Sequence, residues 1–318
     1  MMSDCHDLFQ KFYENIKLTE SKKESLRSAR DAIRDRINNY FKDTLKKNIP
    51  EFRSQGSFST STIINPLDGE FDIDDGVYLK SLDSDKSKWP SPETVHKWIY
   101  EAVKEHTKEI PIDKTTCIRV KYSGKYHVDL PIYGEYKHNS YLAEKGKQDW
   151  PKSDPIALKN WFLNKVKDKE QLRRIVCYLK AWSGYNSKNK SLPSGLILTI
   201  LVVENFLKKE RDDSSFGGTI KNINNEIVDS FVVKNPVDTQ EILSDRLTPS
   251  QKKNFKDLLY TLLKNASRAL KEVKKKSACE IWRKEFGDRF PSCDELSDEK
   301  DLLFTTSPAL LKDDARSA

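Results

Sequence analysis

Residues Phe71-Asp72-Ile73-Asp74 constrain the fold more than any other four positions in the chain. Strand side chains alternate between faces, so Asp72 and Asp74 project together while Phe71 and Ile73 project the other way. The apolar pair presses the strand onto a core and leaves two carboxylates side by side at its rim. Two carboxylates this close repel each other, and a divalent cation is the ordinary relief, because hard oxygen ligands suit Mg²⁺. The segment leading into the strand contains Gln55-Gly56-Ser57 and then turn-rich Asn65-Pro66 and Asp68-Gly69. Gly56 lets backbone approach a phosphate, and Ser57 adds an N–H and a hydroxyl at what reads as a helix start.

A third acid comes from further along. Thr116–Tyr122 and Lys125–Tyr133 read as strands joined at a Ser123-Gly124 turn. The second carries Asp129 between Val128 and Leu130, where an unpaired buried carboxylate would be costly. If that strand lies beside Phe71–Asp74, three carboxylates share one sheet edge, which is what two-metal catalysis requires. Asp75 is out of phase with its neighbours and should face away. His127 shares the face of Asp129; a structural histidine is the first expectation, a metal or substrate contact the second.

Elsewhere the pattern is mostly helical. Residues 21–47 carry a stripe of Leu26, Ala29, Ile33, Ile37, Phe41 and Leu45, with Ser21 and Glu24 as a capping box and Pro50 as the stop. A short helix is expected at 59–64 and another from Pro92 to about His106. Beyond Tyr136 helices are expected at 154–166, 169–185, 193–207, 239–247, 250–274 and 278–286, with a Gly- and Asn-containing loop at 217–225. The fold class that follows is α+β: a mixed sheet lobe with helices and a long N-terminal helix over residues 1–150, then a helical lobe over 151–318 with a flexible tail.

Composition narrows the class of function. With 56 Lys and Arg against 49 Asp and Glu, the net charge of +7 suits a handler of phosphates without demanding a nucleic-acid partner. The longest apolar run, Leu196–Val203, is far short of a membrane span, and the first residues show no signal-peptide pattern. Five scattered cysteines without a CxxC pair argue against zinc and for free thiols in a reducing cytoplasm.

The order QGS, DID, HVD resembles nucleotidyltransferases of polymerase-beta type. QGSFSTSTIINPLDGEFDIDDGVYL and HVDLPIY resemble the cGAS/DncV-like enzymes (CD-NTases) of bacterial anti-phage (CBASS) signalling, as do LRRIVCYLKAW at 172–182 and the helix start at Pro193-Ser194. The likeness is good over about residues 20–210; beyond them it is carried by helical character and WRKEFGDRFP at 282–291. It implies a bilobal fold. It also implies that Asp72 and Asp74 ligate two Mg²⁺ ions, with Mn²⁺ as a substitute, and that Asp129 binds the ion activating the acceptor hydroxyl. Gln55, Gly56 and Ser57 would hold the donor triphosphate, Lys180 and Ser194 would reach it from the helical lobe, and Arg119 would contact a base. Trp182 and Tyr185 are expected in the helical core. The implied reaction is cyclisation of nucleoside triphosphates, ATP with GTP or a pyrimidine nucleotide, by default into a purine-containing cyclic dinucleotide. An effector would sense the product, and a ubiquitin-like-transfer partner would conjugate the tail at Ala318. The alternatives are a linear nucleotidyltransferase acting on RNA or a small-molecule hydroxyl, and a nucleic-acid sensor with a vestigial site.

Overall fold

A computed structural model describes residues 2–67, 69–123, 126–187, 191–294 and 296. Apolar side chains gather into two cores, one beneath a sheet and one inside a helical array. Helix α1 (His6–Ile16) buries Leu8, Phe9, Phe12 and Ile16 along one stripe. Although it comes first in sequence, that stripe lies in the helical core, so these residues cross the division expected at residue 150.

Helix α2 (Glu20–Asn39) buries Leu26, Ala29, Ile33 and Ile37 as the stripe predicts. Its cap is Thr19, whose hydroxyl accepts from the Lys22 N–H, and not Ser21, which lies within the first turn. A widened turn at Tyr40–Thr44 extends it and buries Phe41. Strand β1 (Glu51–Gln55) runs into a short helix α3 (Gly56–Ser59), earlier than the expected helix at 59–64. Strand β2 (Phe71–Tyr78) and helix α4 (Pro92–Val103) follow, the latter capped by Ser91 with Pro92 in its first turn. Then come β3 (Ile112–Asp113), β4 (Ile118–Tyr122), β5 (Tyr126–Leu130), β6 (Ile132–Tyr136) and β7 (Asn139–Leu142).

The seven-stranded sheet is organised around β2. On one side β1 runs antiparallel to it. On the other, β5 and then β6 run parallel to it, Phe71–Asp74 opposite Tyr126–Asp129 and Val77–Tyr78 opposite Ile132–Tyr133. The expected strand 125–133 is thus interrupted at Pro131, which cannot donate to a ladder but whose carbonyl accepts from the Val77 N–H. β4 and β7 pair antiparallel with β5 and β6.

The second half holds α5 (Pro155–Val166), α6 (Glu170–Asn186), α7 (Gly195–Asn205), α8 (Asp212–Ile227), a hairpin β8 (Lys234–Asn235) and β9 (Asp238–Ile242), α9 (Pro249–Ala269) and α10 (Lys275–Phe286). Two expectations fail here. The loop at 217–225 is the middle of α8: a side chain at Gly217 would come within 2.7 Å of Leu270, so the glycine marks close helix packing, not a turn. The helix at 239–247 is instead β9 followed by a 3₁₀ turn over Leu243–Arg246, since its polar start has nothing to bury.

The cysteines also need correcting. Cys279 and Cys293 form a disulfide 14 residues apart, while Cys5, Cys117 and Cys177 are free and buried. The pairing arises because Gly287 (φ 71°) ends α10 and the chain folds back along it. Among the described residues no helix is long and apolar enough to cross a membrane. The tail at Ala318 lies outside the described residues.

Candidate active site

The three acids reach one face because of strand register. In the parallel pair, Asp72 lies opposite His127 and Asp74 opposite Asp129, so all four side chains leave the same side of the sheet. Asp75 leaves the other side. It is fully buried, receives two bonds from Arg34 at 2.7 and 2.6 Å and one from Ser54 at 3.2 Å, and ties α2 to the sheet.

Each site carboxylate is treated differently. Asp72 is the most open, its side chain 41% exposed. Asp74 is pressed against Gly56 (φ 68°), where an added Cβ would fall 2.0 Å from Oδ2; only glycine gives that approach and that backbone conformation. Burial pushes the Asp74 carboxyl up to about 8, reinforced by Asp72 and then Asp129 and opposed by Arg119 and Lys114. Asp129 is buried and receives two 2.7 Å bonds from Arg119, its antiparallel partner on β4. His127 is buried and its Nε2 lies 3.8 Å from Asp72 Oδ2. Burial lowers the pKa of its imidazole below the usual value.

One ligand atom each from Asp72, His127 and Asp129 lie within 4.8 Å of one another. The Asp72, Asp74 and Asp129 carboxylates on one face fit a divalent cation, which would relieve their mutual repulsion.

A cavity of about 600 Å³ opens between sheet and helices, lined by Gln55, Gly56, Ser57, Asp72, Asp74 and Lys180 among others. Lys180 projects from α6, donates to Thr62 Oγ1 at 3.1 Å and to the Thr62 carbonyl at 3.3 Å, and is held below its usual pKa by burial. Three expected site residues, Asp129, Arg119 and Ser194, do not line the cavity. Ser194 caps α7, and the Arg119 guanidinium is committed to Asp129. Gln55 lines the cavity, but its amide donates to the Tyr133 hydroxyl at 3.1 Å.

Sequence reasoning missed Lys159 and Trp161 on α5, which also line the cavity. Lys159 donates to the Ser54 carbonyl at 3.2 Å, and no local motif marks either residue. Trp182 is in the helical core as expected, fully buried with its indole N–H on Glu285.

A mixed sheet with paired acids on its central strand, facing a helical lobe across a cleft, is the bilobal nucleotidyltransferase fold of polymerase-beta type. Residues 50–133 match the family model for the nucleotidyltransferase domain of DncV-like cyclic GMP-AMP synthases, and residues 169–298 match that for the cyclic GMP-AMP synthase C-terminal domain. The chain belongs to the cGAS/DncV-like nucleotidyltransferase family.

A cyclic GMP-AMP synthase of Escherichia albertii is 32% identical over 209 residues, 61% of this chain and 45% of that protein. A c-di-GMP synthase of Roseivirga ehrenbergii is 25% identical over 231 residues, 61% of this chain and 60% of that protein. The chain thus spans about half the length of the curated relatives it matches. The apo form of Vibrio cholerae DncV superposes with a TM-score of 0.79 at 20% identity, covering 91% of this chain and 97% of that one, a likeness of fold.

Proposed function

We propose that this chain is a cyclic oligonucleotide synthase, condensing nucleoside triphosphates into a cyclic dinucleotide containing a purine and releasing pyrophosphate. The observation that carries the reading is the register Asp72–His127 and Asp74–Asp129 on adjacent parallel strands, with Lys180 across the cleft. The names of the relatives, synthases of cyclic GMP-AMP and of c-di-GMP, support the product class.

In this reading a ribose hydroxyl attacks an α-phosphorus: a P–O bond forms, the bond to the β-phosphate bridge breaks, pyrophosphate leaves, and the hydroxyl proton passes to solvent. A second, intramolecular attack closes the ring. Two Mg²⁺ ions, when bound to Asp72, Asp74 and Asp129, supply charge neutralisation and a more acidic hydroxyl. Gly56 and Ser57 orient the donor triphosphate through backbone and hydroxyl. Lys180, already partly buried, exchanges its Thr62 contacts for phosphate oxygens. The sheet lobe and the helical lobe, the latter including α1, exclude water between them, and which hydroxyl attacks is set by positioning. ATP with GTP or a pyrimidine nucleotide are the proposed substrates, with no nucleic acid needed. A cytoplasmic role in anti-phage signalling, an effector that senses the product and a ubiquitin-like-transfer partner at the C-terminus belong to the same proposal.

The test is to incubate the protein with all four nucleoside triphosphates and Mg²⁺ and analyse phosphatase-treated products by mass spectrometry. A phosphatase-resistant ring is expected. Products trimmed by phosphatase would instead establish a linear transferase, and intact substrates a binding protein. Asp72→Ala combined with Asp74→Ala should abolish turnover, at least 10³-fold or so as for loss of a charge-stabilising site, without loss of helix content by circular dichroism.

A further inference from the structure

We propose that one cation position in this cleft is a mixed-donor site, formed by the carboxylates of Asp72 and Asp129 with Nε2 of His127, and that it favours a divalent first-row transition cation over Mg²⁺. The inference rests on the nucleotidyltransferase reading only for its catalytic meaning, because occupancy can be measured without turnover.

His127 stands opposite Asp72 in the β2–β5 ladder and two residues before Asp129 on the same face. One ligand atom from each lies within 4.8 Å of the other two. Ligands about 2.2 Å from a common ion stand roughly 3 to 4.4 Å apart, depending on whether they are adjacent or opposite. Only small side-chain adjustments are therefore needed to close on an ion. The His127 side chain is 9% exposed, and its Nε2 is buried with no hydrogen-bond partner among the described residues. A buried nitrogen left unmatched is destabilising, and this one lies beside two acids.

Arg119 does not block the site. It uses two of the roughly four lone-pair positions of the Asp129 carboxylate, leaving two for a cation. Asp74 is absent from the convergent set, its carboxyl lying against Gly56 on the side of the triphosphate segment. The chain therefore offers two unlike environments, one with oxygen donors alone and one with an imidazole. Mg²⁺ prefers oxygen and gives up water reluctantly, whereas imidazole favours the first-row transition series. Mn²⁺ is the mildest member of that series and a paramagnetic probe.

The decisive measurement is pulsed electron paramagnetic resonance of Mn²⁺ bound to the full chain without nucleotide, in unlabelled protein and in protein carrying ¹⁵N-histidine. Nitrogen modulation that changes with the label, and that disappears in His127→Gln, is expected. Titration should show Mn²⁺ affinity falling about tenfold or more in His127→Gln, with Mg²⁺ affinity changed no more than about twofold. Bound Mn²⁺ without histidine coupling, or equal losses for the two cations, would overturn the proposal. If His127→Gln fails to fold, the label dependence in the native protein decides alone. Turnover of nucleotides by a protein lacking the coupling would sink this inference and leave the function standing; failure of both would sink the two together.

Discussion

At the scale of single residues, Asp74 shows how a sheet edge stores charge. Its carboxyl, raised to about 8, keeps a proton that the unfolded chain releases near 3.8. Between those values the folded state binds more protons than the unfolded one, so cation-free stability should fall as pH rises through that window. Asp74→Asn cannot ionise, so it should match the native protein near pH 4 and exceed it in Tm by a few degrees near pH 8. Thermal melts in chelator across that range provide the check, and a constant difference would contradict the assignment. The phase of the strand made it legible that Asp72 and Asp74 share a face and that Asp75 takes the other; that Asp74 alone is pressed against Gly56 was not. The commitment of Arg119 to Asp129 was not legible, because it depends on which antiparallel partner faces which.

At the scale of elements, α2 is held to the sheet by more than its apolar stripe. Arg34 reaches Asp75 and Ser54 through the gap between helix and strands. Asp75→Ala should cost about 2–3 kcal/mol in a urea titration. That is less than the roughly 3–5 of a wholly buried pair, because the Arg34 side chain remains 25% exposed and regains water. Nucleotide binding should change much less than stability, since Asp75 lies on the face away from the cleft. Helices with clean stripes and strands with clean alternation were readable here. α8 was not: its glycines and asparagines look like a loop until Leu207 and Leu270 are seen packed against them. β9 was misread for the opposite reason, a short polar segment having no periodicity to distinguish strand from helix.

At the scale of the molecule, the chain returns on itself. α1 inserts Phe9 among Tyr178, Phe216, Trp282, Phe286 and Phe290, from three separate parts of the helical lobe. Phe9→Ala should therefore cost about 3–5 kcal/mol, seen as a lower denaturant midpoint, and should loosen the helical lobe before the sheet. Cations of that lobe also grip the segment between α3 and β2: Arg173 donates to the Thr60 carbonyl, Lys180 to Thr62 and Arg289 to the Asn65 carbonyl. The cavity wall that includes Thr60, Thr62 and Pro66 is thus held in place from the helical lobe.

Local patterning alone determined the acidic strand, its facing and the later Asp129. These follow from periodicities of two and 3.6 that each segment carries within itself. Only the folded chain decided that β5 lies parallel to β2 in the register that joins Asp129 to the pair, that His127 Nε2 has no hydrogen-bond partner among the described residues, and that α1 belongs to the distant core. Those are contacts between segments far apart in sequence, chosen by packing and strand register together, and no single stretch of residues encodes them.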